Sequence, residues 1–520
     1  MTHGLEADPI TVTIFLLLFV GIAGAGLFAA RWRRGDLSQL TEWGLGGRRF
    51  GTLITWFLLG GDLYTAYTFI AVPALMFGAG ATGYFAIPYG MLAYPLLFVG
   101  FSRLWSVAHR HGYVTAADFV RGRFGSRSLA LAIAVTGIAA TIPYIALQML
   151  GLQVVIAALG IQNLPGLSAI PNLPLLIAFA FLAFYTFSSG LRGTAVIAIA
   201  KDIMIYATVL AAIIIIPVEL GGYGKIFAAV DPKQLILGHG TADNLGPGFA
   251  YSSLALGSIL ALFLYPHATT GMLSSGSRDV VERNSIILPI YSFALALIAL
   301  LGFMALAAGV KSMPEYAAGF DRFGNNFAVP ALFLHMFPDW FAGIAFAAIG
   351  VGALVPAAIM SIACGNLFTR NIYREYLAPD CSPAREAQVA KIVSLVVKLG
   401  ALFFVLELPT AYAIQFQLLG GILIIQTAPA VLLGLYTSKL NPWALLLGWL
   451  AGMASGTWMA FENAFKISIY PLHIFGVIVP CYAAVSSLLL NLAVSVAFSW
   501  LFNAVLRTPP SDATQEADYA

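Results

Sequence analysis

The strongest constraint on this chain of 520 residues is a series of about thirteen apolar segments, each near the roughly 20 residues that an α-helix needs to cross a bilayer. The chain is 60% hydrophobic and 9% charged, whereas soluble globular proteins carry about 25% charged residues. We therefore expect an all-α integral membrane protein with about 13 transmembrane helices.

The basic residues predict the orientation of these helices. The leading segment MTHGLEADP is acidic and RWRRG follows the first apolar run, which is the reverse of a cleaved signal peptide. With the N-terminus outside and the C-terminus inside, about 21 of the 26 Lys and Arg residues fall on the cytoplasmic side. That asymmetry supports the predicted threading.

Two apolar segments are interrupted by residues that suit a membrane helix poorly. FLLGGDLYTAYTF, residues 57–69, contains the pair Gly60-Gly61 and then Asp62. LALFLYPHATTGML, residues 260–273, contains Pro266 and His267. Either could be a harmless kink, but each opens a set of five helices. The pair predicts a 5+5 inverted repeat, with substrate and ion between the broken first and sixth core helices.

The apolar segments, the two breaks and the polar stretches together predict six segments of the chain. These are a peripheral first helix and cytoplasmic link (1–50), a first repeat (51–218), an extracellular loop (219–249), a second repeat (250–437), two peripheral helices (438–506) and a disordered cytoplasmic tail (507–520). In the first repeat, TAAD at Thr115–Asp118 fits a helix capping box.

Other classes of membrane protein fit the sequence less well. The sequence contains no GxxxxGK[ST] motif, so nothing in it indicates an ATP-driven pump. The three cysteines lack the spacing of metal ligands. A channel needs a continuous polar pore, but the polar residues cluster at the two breaks. An enzyme would have to use Asp62, Asp202 and His267 as an acid-base set, and no nucleophile accompanies them.

Several segments also resemble the sodium:solute symporter family, and within it the bacterial monocarboxylate permease branch. These segments are EWGLGGRRFG, GGDLYTAYTF, TAADFVRGRFGSR, GLRGTAVIAIAKD, YPHATTGMLSSGSRD, AAIMSIACGNLFTRNIYRE and QTAPAVLLGLY. The resemblance covers roughly residues 40 to 460 in register. It implies a LeuT-type fold, alternating access and a multi-pass location in the bacterial inner membrane.

The residues and the resemblance together suggest a substrate site. The resemblance implies a small monocarboxylate such as lactate, pyruvate, propionate or acetate; an amino acid carried with sodium is the alternative. No arginine lies deep in a span, so we expect the anion on backbone amides after Gly61, beside a pocket wall. The predicted substrate-binding residues are Gly61, Tyr64, Tyr67, Thr68, Gln148, Tyr265, His267, Gln415 and Gln417.

The resemblance places a cation site beside the first break. In the family, sodium binds carbonyls that match Gly60 and Leu63, a carbonyl that matches Ala358, and two hydroxyls. Here Ser361 supplies one hydroxyl and Ile362 replaces the other. One interpretation is a sodium site at Gly60, Leu63, Ala358 and Ser361. Asp62 then either tunes this site or only caps the half-helix.

A second departure from the family is Lys201, which precedes Asp202 in AIAKDIMIY. Its ammonium could stand where sodium would bind, or it could extend to the inner membrane face. The first interpretation predicts H+ as the coupling ion in place of Na+, with uncoupled transport as a third alternative. No organic cofactor or nucleic acid is predicted, and the sequence does not determine the oligomeric state.

Overall fold

The computed structural model describes residues 7–29, 35–407, 413–505 and 511–520. Most of the acidic leading segment, most of the RWRRG link and the first residues of the predicted tail lie outside the described residues.

The described chain is built almost entirely of helices. The first half contains α1 Pro9–Ala29, α2 Leu40–Leu45, α3 Thr52–Gly61, α4 Val72–Ala79, α5 Ala86–Leu92, α6 Tyr94–Leu96, α7 Ser102–His111, α8 Ala116–Phe124, α9 Arg127–Ala158, α10 Leu173–Glu219, α11 Tyr223–Ala229 and α12 Pro232–Leu235. The second half contains α13 Gly246–Leu262, α14 Pro266–Leu273, α15 Arg278–Ser292, α16 Ala294–Ala307, α17 Ala317–Phe323, α18 Ala328–Met336, α19 Asp339–Phe368, α20 Pro383–Glu407, α21 Ala413–Ile424, α22 Ala428–Val431, α23 Pro442–Glu462 and α24 Ala483–Val505.

Ten continuous helical segments of the described chain are long and apolar enough to cross a membrane, or eleven when α13 and α14 count as one bent span. Two of them, Tyr67–His111 and Leu173–Glu219, have 45 and 47 residues. Each is about twice the length of one crossing. In the second segment Gly190 adopts φ 58° and ψ −154°, which interrupts the helix. A multi-pass helical membrane protein is therefore confirmed, whereas the count of thirteen stays a prediction.

The centre of the bundle is α19, which contacts α1, α9, α10, α14 and α20. Nearly all of its apolar stretch is buried inside the protein. Its glycines and alanines let neighbouring helices approach closely, which is how membrane helices gain packing energy in the absence of a hydrophobic drive between them. Both predicted breaks lie on helices that contact α19, α3 before the first and α14 after the second.

The predicted capping box at the start of α8 is confirmed. The Thr115 hydroxyl accepts a hydrogen bond from the Asp118 amide at 3.0 Å, and Asp118 Oδ2 accepts from the Thr115 amide at 3.2 Å. Asp118 also accepts from Asn371 Nδ2 at 2.8 Å. The cap therefore ties the loop after α7 to the helical turn that follows α19.

A β-hairpin corrects the expectation of a purely α-helical chain. Strands β1 Ile469–Ile474 and β2 Val477–Tyr482 pair antiparallel between α23 and α24. β-branched residues favour strands, and Gly476 permits φ 85° in the connecting turn. The high hydrophobicity of these residues led to their assignment to the peripheral spans.

The structure also contradicts the disordered tail for residues 511–520. Tyr519 is 3% exposed and lies against Phe119, with the guanidinium of Arg103 at 5.2 Å from its ring. Asp512 pairs with Arg123 at 2.6 Å. The tail is polar in composition, but it binds a basic surface formed by the rest of the chain. The composition of the tail alone does not reveal this surface.

Candidate functional site

The first helix break lies between α3 and α4. Helix α3 ends at Gly61, and helical geometry resumes in a wide turn over Tyr67–Ala71. The Thr68 hydroxyl accepts from the Thr65 amide at 2.9 Å and donates to the Thr65 carbonyl at 2.8 Å. Thr68, predicted as part of a pocket wall, therefore stabilises the break from within.

Several backbone amides after Gly61 already donate to protein acceptors. The amides of Asp62 and Leu63 donate to carbonyls at the end of α3, and the Ala66 amide donates to Gln148 Oε1 at 3.1 Å. A substrate anion would have to displace these partners. Binding of an anion to the amides after Gly61 stays a prediction.

Lys201 of α10 is fully buried, and its ammonium enters one side of the break. It donates to the carbonyls of Gly61 and Tyr64, the second at 3.1 Å, and lies 3.0 Å from Asp202 Oδ1. These acceptors match the three N–H groups of an ammonium. Lys201 therefore does not extend to the membrane face. We call Gly61, Tyr64, Lys201 and Asp202 the cation cluster.

Each carbonyl of the cation cluster lies one residue after a predicted sodium ligand of the first break. The Gly60 carbonyl accepts from the Leu63 amide at 3.0 Å within the turn. The carbonyls that meet the ammonium are consequently those of Gly61 and Tyr64 instead of Gly60 and Leu63.

Ala358, Ser361 and Ile362 of α19 are all buried. The Ser361 hydroxyl donates to the Ala358 carbonyl at 2.9 Å and accepts from Ser394 of α20 at 3.1 Å. Within the described chain, no hydrogen bond links the Ser361 side chain to the first break. Their role as sodium ligands stays a prediction.

Other side chains from both breaks face α9. The ring of Tyr144 on α9 lies 5.4 Å from the rings of Tyr265 and His267, and 6.5 Å from that of Tyr67. These contacts are edge-to-face, a favourable arrangement for aromatic rings. We call Tyr67, Tyr144, Tyr265 and His267 the aromatic pocket. It brings the two predicted breaks together.

Tyr64 does not share this pocket, although the sequence placed Tyr64 and Tyr67 on one face. Its ring packs against Tyr206 at 5.9 Å and Tyr291 at 4.6 Å, and its hydroxyl donates to the Tyr291 carbonyl. The break rotates the two tyrosines onto different neighbours, because the helical spacing that would align them is lost there.

Asp62 and His267 form the polar contact between the breaks. His267 Nε2 lies 3.3 Å from Asp62 Oδ2, and both side chains are buried. Neither Asp62 Oδ1 nor His267 Nδ1 has a hydrogen-bond partner within the described residues. Two buried polar atoms at the breaks thus lack the partner that buried polar groups usually have.

The three predicted glutamines have separate positions. Gln148 lies on α9 and accepts a hydrogen bond from the Ala66 amide at the first break. The backbone carbonyl of Gln417 accepts from the Tyr265 hydroxyl at 2.9 Å. Gln415 instead accepts from Ser468 at 2.6 Å, next to the β-hairpin. Gln148 and Gln417 therefore border the aromatic pocket, whereas Gln415 does not.

A small cavity adjoins the second break. It has a volume of about 20 Å³ and is lined by residues that include Gly137, Pro266, Thr269, Leu367 and Thr427. That is room for a water molecule. A larger solute could pass only if these helices moved apart.

The sequence reading missed four residues that the structure adds. Tyr144, Tyr206 and Tyr291 surround the break, and Lys398 is buried in α20. The tyrosines carry no local signal, since their neighbours are set by helix packing. Lys398 does carry one, because a lysine interrupts the apolar run IVSLVVKLGALFF.

Comparisons with known proteins agree with this architecture. The sequence profile of the sodium:solute symporter family matches residues 43–452. A monocarboxylate transport permease protein of Rhizobium johnstonii is 48% identical over 504 residues, covering 96% of this chain and 98% of the relative. The uncharacterized symporter YodF of Bacillus subtilis is 34% identical, covering 86% and 88%.

Solved structures show the same fold. A Na+-coupled sialic acid symporter, in a substrate-bound outward-open state, superposes with a TM-score of 0.71 at 16% identity, covering 96% of this chain and 99% of the other. The nucleobase-cation-symport transporter Mhp1 gives 0.53 at 15% identity, covering 91% and 96%. These are transporters with the LeuT-type fold.

The family match and the relative, together with this fold, define a secondary transporter of the membrane, and not an enzyme. The chain belongs to the sodium:solute symporter family, and it is a cation-coupled symporter. Its substrate is a small molecule and its surroundings are a lipid bilayer.

Proposed function

We propose that this symporter imports small monocarboxylates such as lactate, pyruvate, propionate or acetate, and that H+ is the coupling ion. The name of the relative that is 48% identical supports the substrate class. The aromatic pocket offers apolar ring surface to a short alkyl tail once its rings, which are in contact in this conformation, move apart. His267, Gln148 and the Tyr67 hydroxyl are the candidate donors for the carboxylate.

The observation that carries H+ coupling is the position of the Lys201 ammonium. It lies against the Gly61 and Tyr64 carbonyls at the break, a group of oxygens that suits a cation, and Asp202 balances its charge. Proton loss from Lys201 would free these oxygens and let the break rearrange. The alternative is Na+, which the family name and the Na+-coupled sialic acid symporter support.

We propose a topology of thirteen spans, in agreement with the charge asymmetry. The N-terminus is outside, the C-terminus is inside, and residues 51–218 and 250–437 form the two inverted repeats in the bacterial inner membrane. The two doubled helical segments and the bent pair supply the extra crossings beyond ten. Transport then follows alternating access around the two breaks.

Uptake of radiolabelled lactate into proteoliposomes tests this function. An inward pH gradient without sodium should drive accumulation, and Lys201→Ala should lose it. Strict sodium dependence at fixed pH, with Lys201→Ala active, would overturn the proposal for H+. Strong inhibition by sugars or proline, with none by pyruvate, would overturn the monocarboxylate class.

A further inference from the structure

Lys398 is a second lysine buried within the membrane bundle. It lies in the middle of α20 and is 1% exposed. Among the described residues, its ammonium donates one hydrogen bond, to Ser394 Oγ at 3.3 Å, one turn earlier on the same helix. Within the described residues no carboxylate forms an ion pair with it. Lys201, by contrast, has two carbonyls and a carboxylate.

The charged and titratable groups on the helices that pack against α20 lie at other sites or pair with residues other than Lys398. Tyr144 of α9 lies in the aromatic pocket, and Lys201 and Asp202 of α10 lie in the cation cluster. Glu42 of α2 pairs with Arg192 at 2.8 Å. At the start of α20, Glu386 pairs with Arg370 from the turn that follows α19. Cys364 of α19 is a buried free thiol.

A permanent positive charge on Lys398 is energetically unfavourable in this environment. An ammonium has three donors, and one accepting hydroxyl leaves the others unpaired. A buried charge without a counter-charge costs several kcal/mol in proteins, and charged residues inside membrane proteins are usually functional. A group that gains and then loses a proton avoids carrying that cost throughout the cycle.

A chain of hydroxyls connects Lys398 to the helix of the predicted cation site. Ser394 donates to Ser361 at 3.1 Å, and Ser361 donates to the Ala358 carbonyl at 2.9 Å. The donors point in one direction, from the amine on α20 to the backbone of α19. Two successive hydrogen bonds therefore link Lys398 to Ser361.

We propose that Lys398 is a second proton-binding group of the transport cycle, linked to α19 through Ser394 and Ser361. The inference rests on the proposed H+ coupling. When the site faces one side, the Lys398 amine takes a proton from a hydronium ion, so that one N–H bond forms as one O–H bond breaks. On the other side the N–H bond breaks and the proton returns to water as hydronium, with no change of oxidation state.

The number of protons moved per lactate tests this role. In proteoliposomes, Lys398→Met should lower the ratio of protons to lactate by about one, because one titrating amine is removed. Gradient-free exchange of labelled for unlabelled lactate should continue. Lys391→Met is the matched control, since Lys391 is a half-buried lysine on the same helix, and its ratio should equal the wild-type ratio.

Each outcome separates this inference from the proposed function. A wild-type ratio in exchange-competent Lys398→Met overturns the role of Lys398 while H+ coupling stands. If wild-type protein moves no protons with lactate, the proposed function fails first. If Lys398→Met does not fold, Ser394→Ala decides, because it keeps the lysine and removes the link. An unchanged pH profile of uptake in Ser394→Ala overturns the proposal.

Discussion

His267 Nε2 lies 3.3 Å from Asp62 Oδ2, so one polar pair joins the two broken helices. Asp62 is the residue directly after α3, and His267 is the second residue of α14. The two residues meet only because the breaks are adjacent in space. Any state in which the half-helices move apart separates this pair, which makes it a natural link between substrate access and conformation.

Asp62→Asn should abolish pH-driven accumulation of lactate while the protein stays folded. The amide still reaches His267, but it carries no charge and takes up no proton at physiological pH. We expect the accumulation ratio to fall about tenfold or more, within the usual range of coupling energies between sites. Lactate exchange without a gradient should persist, because the aromatic pocket is unchanged.

The matched control for that prediction is Asp321→Asn, the same change at an exposed carboxylate on α17. It should leave accumulation at the wild-type level. Normal accumulation in Asp62→Asn as well would mean that Asp62 only caps the half-helix.

Lys201 and Asp202 should be strongly coupled in stability. Removing one partner of a buried pair leaves an uncompensated charge and typically costs about 3–5 kcal/mol. Asp202→Asn should therefore lower the melting temperature in detergent more than the double variant Lys201→Met/Asp202→Asn does. Additive effects of the two single changes in this double-mutant cycle would show that the ion pair contributes nothing.

The sequence predicted the locations of the breaks because their causes are local. A glycine pair before Asp62 and a proline at 266 disfavour helix continuation whatever the surroundings. The direction of Lys201 was not predictable in the same way. Both a membrane-facing and an inward-facing lysine fit its local sequence, and only the packing of α10 against α3 decides.

Longer-range partners were also beyond the sequence. Tyr64 and Tyr67 look equivalent on a regular helix, yet the break sends them to different helices. The tail looks disordered when it is considered alone, because it has few apolar residues. Its order comes from arginines far away in the chain, such as Arg123 and Arg110.

Gly61→Ala should disturb the cation cluster directly. A Cβ there would lie 2.9 Å from Lys201 Nζ and 3.0 Å from Asp202 Oδ2, so the ammonium or the carboxylate has to move. We expect a lower melting temperature and loss of pH-driven lactate uptake. Gly400→Ala on α20 is the control, because its Cβ would meet nothing within 4 Å and alanine favours a helix. Equal behaviour of the two variants would contradict a role for close approach at Gly61.

The docked tail gives a prediction about pH. The His111 side chain, then the Gln515 amide and the Arg110 guanidinium, lower the pKa of Asp518 to about 2 by hydrogen bonding to its carboxylate. The lowered pKa means that docking is stabilised while Asp518 is ionised. That stabilisation is complete above the ordinary pKa of about 3.9 and is lost as the pH falls through about 2.

Asp518→Asn should therefore release residues 511–520 at neutral pH. The neutral side chain loses its attraction to Arg110, which lies 3.2 Å away, and weakens the 2.8 Å contact with His111. Hydrogen–deuterium exchange, corrected for intrinsic rates, should show that the backbone amides of Ala513 and of position 518 exchange faster than in wild type, since both amides are hydrogen-bonded in the docked tail. Glu516→Gln, an exposed carboxylate in the same turn, should exchange as wild type does. Protection that is unchanged in Asp518→Asn would assign tail docking to Tyr519 and the Asp512–Arg123 pair instead.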